Sequence, residues 1–167
     1  MMIVDQQAAH ERILFERFTD QLKSKSAQSQ QSLFPQPVTL SAADFALVLE
    51  MKQEIEALGF RFEIFGKNTL LVNGVPTPVA GGNEKSVFEG LIDQFKQNQS
   101  ELALPLQENL ARSLAKRASI KAGQRLEKEE MQSLINSLFT CGTPAYSPDG
   151  NSTYFIFELT KIESYFR

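Results

Sequence analysis

The chain has 167 residues, of which 42% are hydrophobic and 22% are charged, and it carries a net charge of −3. These values predict a globular protein of one domain or two small lobes. They exclude a chain that binds DNA through bulk positive charge, and no run approaches the roughly 18 apolar residues of a membrane-spanning helix. The single cysteine excludes an internal disulfide and a cysteine-rich zinc site, so we expect a soluble protein of a reducing compartment.

The first half of the chain alternates between helices and extended segments. The apolar run Met1–Val4 predicts a short strand, and Asp5 is a suitable N-cap for a helix that extends to about Leu22. Because nothing precedes that strand, we interpret the sequence as a segment of a longer polypeptide. Spacing and turn residues predict the next elements: a polar connection over 23–30, an extended segment over 31–38, a helix from the Ser41 cap to Leu58 ended by Gly59, and strands over 60–65 and 69–75.

The second half predicts three long helices, one strand and a short terminal helix. A break at Gly81–Asn83 precedes the first long helix, the second ends near Gly123, and acidic residues in the first turn favour the third. A hydrophobic strand follows over Thr153–Leu159, and Thr160 and Glu163 form a capping box for the terminal helix. Because strands and helices do not alternate regularly, the predicted fold class is α+β.

Polar residues interrupt the apolar face of the first helix. At 100° per residue, Gln7 and Glu11 continue the stripe formed by Leu14, Phe18 and Leu22, and Asp5 lies at the start of the helix. Buried polar groups are costly unless they have partners, so this pattern indicates a site. The alternative is that the first turn extends beyond the core and its polar residues are solvated.

Residues 4–16 closely resemble the opening motif of the C-terminal domains of MutL-type DNA mismatch-repair proteins. In nuclease-competent members the motif is Asp-Gln-His-Ala followed by two Glu, and this chain keeps five of its residues: Asp5, Gln6, Ala8, Glu11 and Glu16. Residues 112–131 also resemble the matching late segment of the family. The resemblance implies the homodimerisation domain of a bacterial mismatch-repair protein, located in the cytoplasm with the nucleoid and without a membrane association.

The chain departs from the family at the positions that would hold a metal. Gln7 replaces the family's His, Lys116 replaces a Cys, and 147–152 replaces a Cys-Pro-His-Gly-Arg-Pro run. Zinc-type sites use imidazole and thiolate ligands, so the resemblance implies a degenerate nuclease site, and we lean towards a domain that is not an enzyme. The catalytic remnants would be Asp5, Glu11 and Glu16, and the metal-site remnants Gln7, Glu11, Ser147 and Asp149.

The alternative function is an active metal-dependent nicking endonuclease. In that case Asp5, Glu11 and Asp149 would form an all-oxygen site, which suits Mn²⁺ or Mg²⁺ better than Zn²⁺. If the nuclease site is degenerate, as the resemblance implies, no cofactor binds this domain. The resemblance implies that ATP binds a separate N-terminal domain in either case, and no ATP-binding feature is present in the chain.

A second motif lies in the extended segment. Gln31, Leu33 and Phe34 resemble the short Gln-x-hydrophobic-Phe peptides that bind the bacterial sliding clamp, and MutL relatives carry such a motif at about this point. An extended peptide with two apolar anchors suits a preformed groove. The alternative is an ordinary edge strand whose Leu33 and Phe34 pack inward.

The resemblance also implies how the domain is organised. Residues 1–36 and 115–167 would form a dimerisation subdomain with a mixed sheet, and 37–114 an inserted external lobe. Four successive apolar residues are candidates for the dimer interface: Tyr154, Phe155, Ile156 and Phe157. The partners would be a second copy, repair proteins of the MutS type and the sliding clamp, with DNA contacted indirectly. An unrelated ligand-binding or interaction domain is the remaining alternative.

Two reactive residue types remain. His10 is the only histidine and is best interpreted as a surface or capping residue, and Cys141 as a buried or half-buried thiol.

Overall fold

The computed structural model describes residues 1–79 and 83–166 and confirms the α+β class. The described elements, in chain order, are β1 (Met2–Val4), α1 (Gln6–Ser24), β2 (Ser29–Thr39), α2 (Ala42–Glu50), α3 (Lys52–Ala57), β3 (Arg61–Ile64), β4 (Thr69–Pro76), α4 (Glu84–Leu102), α5 (Leu106–Ala118), α6 (Lys128–Thr140), β5 (Tyr154–Ile156) and α7 (Leu159–Ser164). Among the described residues, no helix combines the length and apolar character that a transmembrane span requires.

The chain divides into two compact units. Unit 1 comprises Met1–Glu16 and Ser119–Arg167, and unit 2 comprises Arg17–Ala118. The sequence-based boundaries were placed after residues 36 and 114. In the structure the first division lies after Glu16, within α1, and β2 belongs to unit 2 together with its partner strand β4.

Unit 1 is built on a two-stranded antiparallel sheet and α6. In the sheet Met2 pairs with Ile156 and Val4 with Tyr154, so the sheet described in this unit is antiparallel instead of mixed. The unit has a small apolar core formed by Ala9, Leu126, Leu134 and Leu138, against which Val4, Ile13, Ile120 and Tyr154 pack. With three residues in each strand, this sheet is too small to be stable without packing partners.

Unit 2 is built on an antiparallel sheet of strand order β2–β4–β3 and on α4 and α5. Its core includes a cluster of aromatic rings, in which the Phe88 centroid lies 5.3 Å from that of Phe60 and 5.7 Å from that of Phe62, both edge-on. Edge-to-face pairs of this kind add about 0.5–1.5 kcal/mol to the burial of the rings.

A chain of buried polar side chains connects α4 and α5. The Gln94 amide donates to Asn98 Oδ1, the Asn98 amide donates to Ser113 Oγ, and Ser113 Oγ donates to Asn109 Oδ1, each at 3.0 Å. The Asn109 amide then donates to the Phe95 carbonyl oxygen, also at 3.0 Å. All four side chains are at least 95% buried. Each therefore replaces the water it loses with a partner on the same or the facing helix.

Several sequence predictions of local structure are confirmed. Ser41 caps α2, since its hydroxyl accepts from the Asp44 amide N–H at 3.1 Å. Gly59 has the positive φ of 108° expected of a residue that ends a helix. The predicted acidic first turn of α6 holds Glu129 and Glu130, and Glu130 also forms a capping box with the N-cap residue Glu127. Asn83 caps α4, whereas Gly81 and Gly82 of the predicted break lie outside the described residues.

Other elements differ in length from their predictions. The helix expected over 41–58 is two helices separated at Met51, whose ψ of 14° departs from helical geometry. The helix expected to end near Gly123 ends at Ala118. The strand expected over 153–159 stops at Ile156, which pairs with Met2 at the start of β1, and α7 begins at Leu159. The predicted Thr160 cap is therefore wrong, since Glu158 is the N-cap.

Candidate functional site

Asp5 caps the helix that carries the opening motif. Its Oδ1 accepts from the Ala8 amide N–H at 2.9 Å, as a helix N-cap does. Its own amide N–H donates to the Thr153 carbonyl oxygen at 2.8 Å, next to the start of β5. The Asp5 carboxylate is thus used for capping, and the residue connects α1 to the two-stranded sheet.

The side chains of the first turns of α1 hold the segment 119–124. The Gln6 amide donates to the carbonyl oxygens of Gln124 at 2.6 Å and Lys121 at 3.3 Å. Gln7 Oε1 accepts from the Ala122 N–H at 3.2 Å. This segment leads into Leu126 of the unit 1 core, so the motif residues stabilise the packing of the unit.

The side chain of His10 also holds the segment 119–124. Its Nδ1 accepts from the Ile120 N–H at 3.0 Å. Burial, and then the nearby positive charge of Lys121, lower the pKa of His10 below its ordinary value of 6.5. The neutral ring is the form that can accept this hydrogen bond, so His10 connects α1 to the segment 119–124.

We predict that acid weakens this contact. Since the pKa of His10 is depressed in the folded state, its stabilising effect is present above about pH 6.5 and is lost as the pH falls through the folded value. The thermal unfolding midpoint should therefore fall between about pH 7.5 and pH 5.5. Because His10 is the only histidine, the matched variant His10→Gln should show a smaller fall. An equal fall in both proteins would contradict the prediction.

Glu16 anchors the turn that follows α6. One carboxylate oxygen accepts from the Gly142 N–H at 2.8 Å, and the other accepts from the Thr143 N–H at 3.2 Å. Arg12 lies 3.7 Å from the same carboxylate. Burial, followed by the charge of Glu16, raises the pKa of the neighbouring Cys141 thiol to about 11. Cys141 is half-buried, as expected, and protonated at neutral pH.

The remaining candidate metal ligands lie in different structural environments. Glu11 is buried on α1. Ser147 is buried within a tight turn, where its hydroxyl accepts from the Asn151 N–H at 3.2 Å, and Asp149 is exposed in the same turn. Lys116, at the position of the family's cysteine, lies on α5 of unit 2.

These residues do not fit a metal centre. Among residues 1–79 and 83–166, no group of three or more His, Cys, Asp or Glu side chains is placed to hold a metal ion. The carboxylates of Asp5 and Glu16 accept backbone N–H groups, and an amide, a hydroxyl and an ammonium replace imidazole and thiolate ligands. A protonated lysine cannot coordinate a cation.

The two-stranded sheet of unit 1 exposes apolar side chains on both faces. Val4 and Tyr154 point towards the core, and the Tyr154 ring lies 5.3 Å from that of Phe139 on α6. The neighbouring pair Ile3 and Phe155 faces the other way, because side chains alternate along a strand. Phe155 is 58% exposed and Ile156 72%. We call the exposed side chains of Met2, Ile3, Phe155, Ile156 and Phe157 the β1–β5 patch.

The predicted interface residues therefore do not share one environment. Tyr154 packs against the core of its own unit, whereas Phe155, Ile156 and Phe157 are exposed. Met2 and Ile3 of the facing strand were not among the predicted interface residues. Both residues are apolar and lie in a predicted strand of only a few residues, and this combination could have identified them as interface residues.

The Gln31–Phe34 motif lies on an irregular part of β2. Gln31 pairs with Gly74 and Gln36 with Val72, so the register of the ladder shifts between them. Leu33 and Phe34 lie in that interval, and their side chains are 89% and 77% exposed. The inward packing considered as the alternative is therefore wrong for both residues.

Comparison with known proteins decides the family. Residues 1–126 match the family model described as the MutL C terminal dimerisation domain. The chain belongs to this family. The MutL resemblance of the opening motif is thus confirmed.

Curated relatives carry the name DNA mismatch repair protein MutL. The chain is similar to that of Chlorobium phaeobacteroides, at 39% identity over 99% of the chain and 27% of the relative. It is also similar to that of Chlorobium phaeovibrioides, at 38% identity over 99% of the chain and 27% of the relative, and to that of Pelodictyon phaeoclathratiforme, at 37% identity over 99% of the chain and 26% of the relative. The chain spans about a quarter of the length of these MutL relatives.

Proposed function

We propose that this chain joins two copies of a DNA mismatch-repair protein through the β1–β5 patch. The observation that carries the proposal is the exposure of large apolar side chains on both faces of a sheet with two three-residue strands. Such a sheet needs further packing to be stable in water. A second copy supplies it, and the description of the family as a dimerisation domain supports this occupant.

The hydrophobic free energy that these side chains would contribute is large enough to hold two copies together. Burying a Phe or Ile side chain stabilises a complex by about 1.5–3 kcal/mol. In a two-fold interface each residue contributes twice, since the same patch is used by both copies. Sedimentation equilibrium at micromolar concentration tests the proposal. A dimer mass supports it, and a monomer mass overturns it.

The proposal also covers the longer protein of which this chain would be one part. The names of the relatives and the short share of their length support a C-terminal module of a longer mismatch-repair protein. In such a protein the dimer would hold two N-terminal ATPase modules together, with ATP bound outside this domain. Repair partners of the MutS type would act on the same assembly, which would work in the cytoplasm at the nucleoid. DNA would be contacted through other parts, since this chain is mildly acidic.

We also propose that the domain has no nuclease activity of its own. The support is the use of the motif side chains for capping and for holding backbone segments, together with the loss of imidazole and thiolate ligands. The opening motif of this chain is then structural. It keeps the N-terminal strand, the segment 119–124 and the turn 142–143 in place.

This proposal predicts no response to manganese. Supercoiled plasmid should not be nicked above background in the presence of Mn²⁺, and Mn²⁺ should leave the thermal unfolding midpoint unchanged. Asp5→Asn is a matched control, because asparagine caps a helix as well as aspartate does. Manganese-dependent nicking that disappears in Asp5→Asn would overturn the proposal.

A second candidate function is docking to the sliding clamp. Gln31, Leu33 and Phe34 lie on an irregular edge strand, and both apolar side chains are more than three-quarters exposed. Exposure of two adjacent large apolar residues costs hydrophobic free energy, which binding to a groove would recover. We propose that this segment binds the clamp as an extended peptide.

A further inference from the structure

Strand β2 contains a large bulge. Its ladder with β4 pairs Gln31 with Gly74 and then Gln36 with Val72, so the four residues 32–35 lie opposite a single residue of β4. A regular ladder places one residue opposite one, and β2 therefore carries three additional residues at this point. We call residues 32–35 the β2 bulge. Both apolar anchors of the clamp motif lie in it.

The strand pairing holds both ends of the β2 bulge. Three residue pairs of the β2–β4 ladder precede the bulge, and four follow it. The paired strands are anchored in the core of unit 2 by four buried side chains: Val38, Leu70, Val72 and Val75. Because both ends are paired with the same buried strand, a change in the end-to-end distance of the bulge would break ladder hydrogen bonds.

Two further constraints act on the backbone of Phe34. The Gln36 side-chain amide donates to the Phe34 carbonyl oxygen at 3.0 Å. Pro35 disfavours the α-helical conformation at the residue before it, which is Phe34. Phe34 is therefore held in an extended conformation by the next residue of the chain and by a side chain that lies outside the clamp motif.

Both anchors can be reached while the ladder stays intact. The side chains of Leu33 and Phe34 are largely exposed. A cavity of about 350 Å³ adjoins the bulge, and it is lined by Ser32, Phe34, Gln36, Asn83 and Glu84. Phe34 thus borders open space at the start of α4. A binding groove can close around the two anchors without displacing β2.

We infer that the β2 bulge is a preorganised clamp-binding peptide and that Gln36 is a positioning residue, which fixes the Phe34 backbone without contacting the clamp. A flexible peptide loses backbone entropy when it binds in one conformation, and that loss weakens the complex. In this domain the loss occurs during folding instead. The inference rests on the clamp docking proposed above, and it adds how the segment is presented.

The test compares Gln36→Ala in the intact domain and in a synthetic peptide of residues 29–38. Isothermal titration calorimetry measures the affinity of the domain for a bacterial sliding clamp, and competition at high peptide concentration measures that of the peptide. The substitution should weaken the domain at least about three-fold, since one neutral hydrogen bond that orders the binding conformation is lost. It should leave the peptide unchanged within about two-fold, because the peptide has no fixed conformation for Gln36 to hold.

Two further variants complete the experiment. Gln30→Ala, an exposed glutamine of the same strand outside the motif, should bind the clamp like the wild type. Gln36→Lys keeps a side-chain donor and should recover most of the affinity of the domain, which separates the lost hydrogen bond from a general loss of folding. Thermal unfolding confirms that each variant is folded.

The outcomes distinguish the inference from the docking proposal. An equal loss in the domain and in the peptide would mean that Gln36 contacts the clamp itself, and it would overturn the inference. Unchanged affinity of the Gln36→Ala domain, or a loss that Gln36→Lys does not recover, would also overturn it and leave clamp docking intact. A wild-type domain that does not bind the clamp would overturn both.

Discussion

Phe155→Asp is expected to convert the dimer into a monomer. The side chain lies in the middle of the β1–β5 patch and is 58% exposed in a single copy. Its replacement removes about 1.5–3 kcal/mol of apolar burial in each copy and places a charged carboxylate of each copy in the proposed interface. The dissociation constant should therefore increase at least about 100-fold, since each 1.4 kcal/mol corresponds to a factor of ten. Sedimentation equilibrium over a range of protein concentrations measures this change.

Phe65→Asp provides the matched control. Phe65 is 68% exposed and lies in unit 2, outside the β1–β5 patch. This variant should keep the dimer, and both variants should keep the circular dichroism spectrum of the native protein, because neither side chain is buried. If Phe155→Asp remained a dimer with an unchanged dissociation constant, the β1–β5 patch would not be the interface.

The double variant Leu33→Ala/Phe34→Ala is expected to abolish binding to a bacterial sliding clamp. Both side chains are large and apolar, and each is more than three-quarters exposed. Anchors of this kind contribute at least about 2 kcal/mol when they fill a pocket, so affinity should fall at least about 30-fold. Surface plasmon resonance with an immobilised clamp measures the loss.

A second double variant, Ile64→Ala/Phe65→Ala, controls for the general loss of apolar surface. These residues are also exposed, at the β3 edge of the same sheet. Clamp binding should be retained in this protein, and both double variants should remain dimers. Equal clamp affinity in the wild type and in Leu33→Ala/Phe34→Ala would show that the motif does not bind, without any bearing on dimerisation.

Local signals in the sequence predicted the local structure well. The Ser41 cap, the Gly59 terminus and the acidic first turn of α6 each depend on residues within one helical turn, and their chemistry alone determines the outcome. The α+β class could be predicted for the same reason. The pairing of β5 with β1 could not, because the two strands lie about 150 positions apart along the chain.

The candidate site shows the same limit. The stripe on α1 indicated that Gln7 occupies a special position, but its partner is the backbone of Ala122, and no spacing rule connects the two residues. His10 was interpreted as a surface or capping residue. It accepts from Ile120 instead, since the fold brings the segment 119–124 against α1. Such long-range contacts determine the role of these polar residues, and the periodicity of the sequence does not predict them.

The hydrogen-bonded side chains between α4 and α5 determine how this helix pair responds to its surroundings. Gln94, Asn98, Asn109 and Ser113 are all neutral, so neither protons nor salt ions compete for their bonds. A slide of α5 by one turn, about 5.4 Å, would break the bonds that join Asn98 to Ser113 and Asn109 to the Phe95 carbonyl oxygen, at about 1–3 kcal/mol for each buried group left without a partner. Unit 2 should therefore keep one alignment of these helices across the range of acidity and ionic strength that a cell experiences.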